Sequence, residues 1–263
     1  MSSPSFWRGK RCWLVGASSG IGAACARELA RAGARLAISA RSQDSLDALR
    51  TEFSQGAKDP APNAHLAVAM DVRSDESVAV AWERIREAWG GIDLLLYLAG
   101  NYVPARSWEL DVGRARDILD INYLGALRTV SCVLPSFLEA GAGHIALTSS
   151  VAGLRGLPKS LYYGPSKAAL THFAEILRLD LEPRGLRVQV IHPGFVATPL
   201  TAQNDFAMPH LLQPEAAAQL LLRGLEGRSF EIHFPKAFTR RFHWLRCLPY
   251  SWYFPLIRRA TGL

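Results

Sequence analysis

A doubly wound α/β fold, a parallel sheet of about seven strands with helices on both faces, is what this sequence predicts. Three observations carry the prediction. Short runs rich in β-branched or aliphatic residues recur at 12–15, 36–40, 66–70, 94–98, 145–148 and 188–191, the pattern of strands buried on both faces. Between them, segments 21–32, 42–53, 74–89, 112–140 and 166–182 carry apolar residues at helical spacing. Breakers fall at the joints, at Asp59-Pro-Ala-Pro62, Gly90-Gly91, 141–143 and 183–185. A helix at about 214–226 and a strand at about 230–234 would complete the sheet edge. Right-handed crossovers turn such an alternation into a Rossmann-like layer structure.

The 263 residues are expected to form one domain, 1–263, with 230–263 as its basic and aromatic C-terminal extension; doubly covered sheets reach this size around one core. With 49% hydrophobic and 20% charged residues the chain is neither disordered nor fibrous in character. Cys12, Cys25, Cys132 and Cys247 show no paired spacing. No metal site and no disulfide framework is therefore expected, and reduced thiols suit a cytoplasmic protein. A strand-like run begins by residue 11 without a secretory pattern before it, and no run of 18 apolar residues suggests a spanning helix. Of the net charge of +7, residues 223–263 hold +6, eight basic side chains against Glu226 and Glu231. The remainder is nearly neutral, which argues against a nucleic-acid partner.

After the first strand, Gly16-Ala-Ser-Ser-Gly20-Ile-Gly22 enters a helix. Lacking Cβ atoms, such a turn lets its amides, with those of Ser18, Ser19 and Ile21, approach a pyrophosphate at the helix N-terminus. The second strand ends Ser39-Ala-Arg41-Ser42, without the carboxylate that would hold a ribose 2′-hydroxyl. Arg41 offers a charged fork and Ser42 a hydroxyl for a 2′-phosphate, so NADP(H) is expected rather than NAD(H). Asp71, after the third strand, either accepts from an adenine amino group or caps the helix beginning near Ser74.

At the other end, Ser149-Ser150 follows the fifth strand and Tyr163-Gly-Pro-Ser-Lys167 opens the next helix. Four residues apart, Tyr163 and Lys167 share a helical face. Unit charges ~4 Å apart interact by ~4 kcal/mol at an effective dielectric near ~20, enough to draw a phenol toward the working range of an acid/base catalyst. Tyr162 is a competing phenol, but its fourth following residue is Ser166.

Taken together these motifs resemble the short-chain dehydrogenase/reductase family in its short single-domain form, over roughly residues 10 to 200. The resemblance rests on Gly16-x-x-x-Gly20-x-Gly22, Asp71-Val72, Asn122, Ser150, Tyr163-x-x-x-Lys167 and Pro193-Gly194-x-Val196-x-Thr198. It implies hydride transfer between a nicotinamide and a carbonyl or alcohol carbon, with Tyr163 giving its proton to the carbonyl oxygen and Ser150 bonding that oxygen. It also implies that Lys167 lowers the tyrosine pKa and binds the nicotinamide ribose, that Asn122 holds a relay water, and that the loop with Pro193, Gly194, Val196 and Thr198 holds the carboxamide. The fourth strand departs from the family's Asn-Asn-Ala-Gly, reading Tyr97-Leu98-Ala99-Gly100. That puts one sheet-stabilising network in doubt, while Ala99 and Gly100 still allow approach to the adenosine ribose. A non-catalytic NADP(H)-binding sensor or scaffold would need the glycine turn but not the proton donor, and retention of Asn122, Ser150, Tyr163 and Lys167 favours the enzyme.

The substrate wall is expected from the loop after Ser150 and from 101–108 and 199–212, with Leu154, Leu157, Leu200, Phe206 and Met208 suiting an apolar small molecule. From Phe230 onward aromatics alternate with arginines. Such a segment can lie on an anionic membrane as a peripheral contact, cover the cleft as a lid, or join subunits of a homodimer or homotetramer. Pro249 and Pro255 are expected to break any helix there.

Overall fold

A computed structural model describes residues 4–54 and 64–262; the proline joint expected at 59–62 lies outside them. The strands β1 (Arg11–Val15), β2 (Arg35–Ala40), β3 (His65–Ala69), β4 (Leu94–Tyr97), β5 (Gly143–Thr148), β6 (Leu186–Pro193) and β7 (Glu231–Phe234) pair in the order β3-β2-β1-β4-β5-β6-β7. Every pairing is parallel. The helices in chain order are α1 (Pro4–Trp7), α2 (Gly20–Arg31), α3 (Gln43–Ser54), α4 (Asp75–Trp89), α5 (Val112–Leu119), α6 (Gly125–Ala140), α7 (Tyr163–Leu181), α8 (Pro214–Glu226), α9 (Lys236–Cys247) and α10 (Tyr250–Thr261).

Side chains alternate across each strand, so the sheet divides the apolar core into two layers. In β1, Cys12 and Leu14 face the layer that α2, α3 and α8 fill with Leu29, Leu46 and Leu221. Trp13 and Val15 face the other, filled from α4, α6 and α7 by Ile85, Phe137 and Leu170.

The helix expected over 112–140 is continuous but not uniform, because a π-helical turn, Asp120–Leu124, separates α5 from α6. By length and composition this stretch is apolar enough to cross a bilayer, although it holds no unbroken run of 18 apolar residues. Its inner face, Ala126, Val130, Val133 and Phe137, is packed into the second core layer instead. Helix α7 starts at Tyr163, as the motif Tyr163-Gly-Pro-Ser-Lys167 predicts and three residues ahead of the apolar repeat over 166–182, which puts the tyrosine in its first turn.

Pro249 separates α9 from α10 as expected, but Pro255 lies inside α10 and the helix continues through it. A proline removes the bond to the fourth preceding carbonyl. Here that carbonyl belongs to exposed Ser251, where water can replace the lost donor.

Candidate active site

Strand order reverses between β1 and β4, and their carboxyl ends open into one cleft of about 1080 Å³, at the switch point where such sheets place ligands. Gly16 leaves β1 at φ +89°, where a Cβ would stand 2.5 Å from the Ala99 amide nitrogen. A Cβ on Gly22 would lie 2.1 Å from Gly16 O. The turn closes only because both lack one. Ser19 sits at the N-cap of α2 without a side-chain capping bond, which leaves the first-turn amides for an anion. Ser18, Gly20 and Ile21 line the same wall, and Thr198 reaches over Gly20 from the opposite side.

Arg41 lies exposed on the rim and Ser42 next to it, the latter's hydroxyl also bonded at 2.9 Å to Ser45 at the start of α3. Arg41 forms no salt bridge among the described residues. Asp71 accepts from Arg73, at 2.7 Å from its Nη2 and 3.0 Å from its backbone N–H. The Arg73 side chain, with a smaller contribution from Arg41, holds the Asp71 carboxyl below its usual range. Helix α4 is capped by Ser74, whose Oγ accepts from the Ser77 N–H at 3.1 Å. The helix-cap alternative for Asp71 therefore falls, because the cap must be the residue next to the helix. Arg73 itself lines the cleft and was not singled out in the sequence; its signal is the Asp-x-Arg pair. Val72 gives its carbonyl to Arg128 at 3.1 Å, tying this corner to α6.

At the catalytic end Tyr163 is half-buried in the cleft, hydrogen-bonded to Ser150 and edge-on to Tyr102 at 5.2 Å. Ser150 Oγ also accepts the Ala152 N–H at 3.1 Å. Burial pushes the phenol up to about 12, against the lowering pull of the Ser150 bond. Lys167 is 3% exposed, donates to Thr148 O at 2.7 Å and stands 5.6 Å from the centre of the Tyr163 ring. Burial pushes its ammonium down to about 7. Loss of hydration, not Lys167, dominates the phenol in this structure. At neutral pH the phenol keeps its proton, the state a general acid needs.

Asn122, in the π turn, is buried behind the cleft wall rather than on it. Its Oδ1 accepts the Asn101 N–H at 2.7 Å, and its Nδ2 donates to Asn101 O at 3.0 Å and to Ser166 Oγ at 2.9 Å. One Oδ1 lone pair is not taken up by these bonds. A Cβ on Gly100 would meet Lys167 Nζ at 3.4 Å and Asn122 Oδ1 at 3.5 Å, so that residue keeps the corner open. Tyr162, the competing phenol, is buried and spends its hydroxyl on Glu109 O and the Asp111 N–H, at 2.8 and 2.7 Å. Tyr97 answers the doubt over the fourth strand by donating to Ile121 O at 2.5 Å, holding the π turn against the sheet.

The residues expected to bind the cofactor, together with Ser150, Tyr163 and Lys167, all line this one cleft. Of the expected apolar wall, Leu157, Leu200 and Phe206 are present. Leu154 and Met208 are not: Leu154 caps the turn Val151–Gly153, and Met208 Sδ accepts from Asn204 Nδ2 at 3.2 Å. The C-terminal segment, for which a lid is one of three expected roles, also lines the cleft. Phe238, Phe242 and Leu245, one face of α9, and Ile257 of α10 close the far side, with Phe195 packed 5.3 Å from Phe238. Arg155, from the loop after Ser150, clasps the joint between those helices. Its Nη1 donates to Leu245 O and Leu248 O, each at 2.7 Å, and its guanidinium covers the Tyr253 ring at 4.0 Å.

Comparison with known proteins agrees with this geometry. The family model described as short chain dehydrogenase matches residues 10–208. An uncharacterized oxidoreductase of Myxococcus xanthus is 38% identical over 222 residues, 84% of this chain and 86% of that protein. The solved structure of a short-chain dehydrogenase from Sphingobium yanoikuyae in complex with NADPH superposes with a TM-score of 0.79 at 26% identity, covering 90% of this chain and 92% of that one. A short-chain dehydrogenase/reductase from Burkholderia phymatum in complex with NAD has the same fold, with a TM-score of 0.81 at 24% identity over 90% and 92% of the two chains.

Proposed function

The chain belongs to the short-chain dehydrogenase family, and from that premise we propose that it is an NADP(H)-dependent oxidoreductase acting on an apolar carbonyl or secondary alcohol. The observation that carries the reading is that Ser150, Tyr163 and Lys167 line one cleft that joins the glycine turn to an apolar wall, where burial favours the protonated phenol. The cradle made by Gly16 and Gly22, the uncapped start of α2 and the unpaired guanidinium of Arg41 fit a 2′-phosphorylated dinucleotide. When bound, NADP(H) supplies or accepts the hydride.

In reduction Tyr163 gives its proton to the carbonyl oxygen as the carbon receives hydride, and Ser150 steadies that oxygen by a hydrogen bond. Lys167, with donors left over after Thr148 O, binds the nicotinamide ribose. Asn122 fixes the 101 backbone and offers its last lone pair to a water that can restore the proton. The loop with Pro193, Gly194, Val196 and Thr198 orients the carboxamide. It is itself held by Thr201, whose hydroxyl donates to Val196 O at 2.5 Å and accepts from the Thr198 N–H at 3.0 Å.

The test is NADPH oxidation across ketones, aldehydes, steroids and 3-oxoacyl thioesters, repeated with Tyr163→Phe on whichever substrate turns over. Removing a general acid should slow turnover by roughly 10²-fold or more while NADPH still binds. Activity retained within a few-fold would show that another group transfers the proton.

A further inference from the structure

We infer that the α9–α10 hairpin is a docking surface for an anionic phospholipid bilayer, and that substrate enters the cleft from that side. Helix α10 buries Tyr253 and, partly, Ile257, leaving its other large apolar residues in water. Tyr250 and Trp252 are each 69% exposed and Phe254 53%, while Trp244 on α9 is 61% exposed. On α10 the spacing puts Trp252, Leu256 and Arg259 along one flank and Tyr250, Phe254 and Arg258 along the other.

Residues 232–263 contain no aspartate or glutamate and six lysines or arginines. Arg246 reaches Glu175 at 4.0 Å, but Arg240, Arg241, Arg258 and Arg259 form no salt bridge among the described residues. Indole and phenol rings suit the headgroup layer, and unpaired guanidiniums suit lipid phosphates. A second copy of the chain fits poorly, since a two-fold contact would set this acid-free cationic patch against itself. At 12 residues α10 is about 18 Å long, too short to span a ~30 Å hydrocarbon core, so the contact is interfacial.

The same hairpin carries the cleft's far wall. Ala260 and Thr261 line the cleft and are exposed, which sets its mouth beside the docking residues. Docking rests on the surface alone; the entry route rests also on the oxidoreductase reading above.

The experiment is flotation of the full chain with phosphatidylcholine vesicles, with and without phosphatidylglycerol. The protein should float only with the anionic vesicles and be released as salt shortens the screening length from about 10 Å at 0.1 M to about 3 Å at 1 M. Arg258→Gln with Arg259→Gln should weaken partitioning about thirty-fold, and Trp252→Ser with Phe254→Ser should abolish it, both with unchanged thermal unfolding. Failure to float with anionic vesicles at low salt overturns docking, as does equal flotation with neutral ones. So does loss of a dimer on sedimentation of the Trp252→Ser, Phe254→Ser variant without loss of vesicle binding. For the entry route, anionic vesicles should raise turnover of a long-chain ketone dissolved in them and leave a short water-soluble ketone unaffected. Equal response overturns the route but not docking, and absence of turnover on either ketone counts against the oxidoreductase reading alone.

Discussion

In the core layer beneath β1 Trp13 is fully buried, stacked 5.9 Å from Trp82, with its indole N–H donated to Ser39 Oγ at 3.0 Å; in the C-terminal hairpin Trp252 stands in solvent. The surroundings differ as the two side chains do. Around the cleft, Asn122 and Ser149 find partners on backbone and side chains of other elements, with Ser149 Oγ donating to Lys167 O at 2.8 Å. The hairpin is tied by the Arg155 clasp, the Tyr253 hydroxyl on Gly156 O, the Arg246–Glu175 pair at 4.0 Å, His233 of β7 against Thr239 Oγ1 at 2.6 Å, and Glu231 of β7, which accepts from His243 at 2.7 Å. Residues around the cleft are held by packing and satisfied hydrogen bonds, whereas the hairpin leaves large aromatic side chains with free surface. Burial therefore separates the two regions of this chain.

The largest expected effect tests that division directly. Trp13→Ala should cost about 3–5 kcal/mol of stability, as large core truncations do, while Trp252→Ala should fall within about 0.5 kcal/mol. Urea unfolding of both variants measures this, and comparable costs would mean that the hairpin is part of the core. A smaller effect is expected from Arg41→Asp, which changes an exposed residue inside the cleft. NADPH should bind about 1.5–3 kcal/mol more weakly, NADH should suffer less, and the unfolding midpoint should stay put. Titration calorimetry showing equal affinity of the unmodified protein for both cofactors would remove the proposed preference.

The smallest effect lies at the joint between the two regions. Glu231 contacts buried His192 at 2.5 Å as well as His243. Although burial by itself would raise its carboxyl, the bonds from those imidazoles bring it down to about 2. A depressed acid stabilises the fold above its unfolded value, near 4.5, and that contribution fades as pH falls from there toward about 2. Glu231→Gln should flatten this part of the pH–stability curve followed by circular dichroism and speed proteolysis within 236–261. An unaltered curve would show that the hairpin is held without the carboxylate.

Much of the fold and site was legible because the signals are local. A run of apolar residues between breakers reads as a buried strand wherever it lies, and the turn from Gly16 to Gly22 and the pair Tyr163 and Lys167 act within one or two helical turns. The less legible parts depend on segments far apart in the chain. Tyr97 looked like a lost asparagine until Ile121 O came within reach, and Phe238 and Phe242 could be assigned to the cleft only once β7 had returned α9 to it.

The sequence by itself determined the layer order, the glycine cradle, the absence of a carboxylate beside Arg41 and the composition of the tail, all functions of residue type and spacing. The three-dimensional structure alone decided that Asn122 stands behind the wall, that Ser74 rather than Asp71 caps α4, and that α10 keeps running past Pro255. It also decided that Tyr163 is pushed up rather than down. Neighbours three or four residues away settle Ser74 and α10; for Asn122 and Tyr163 the reason reaches further. Hydrogen-bond partners and hydration are properties of the space around a group, and that space is filled by residues tens of positions away.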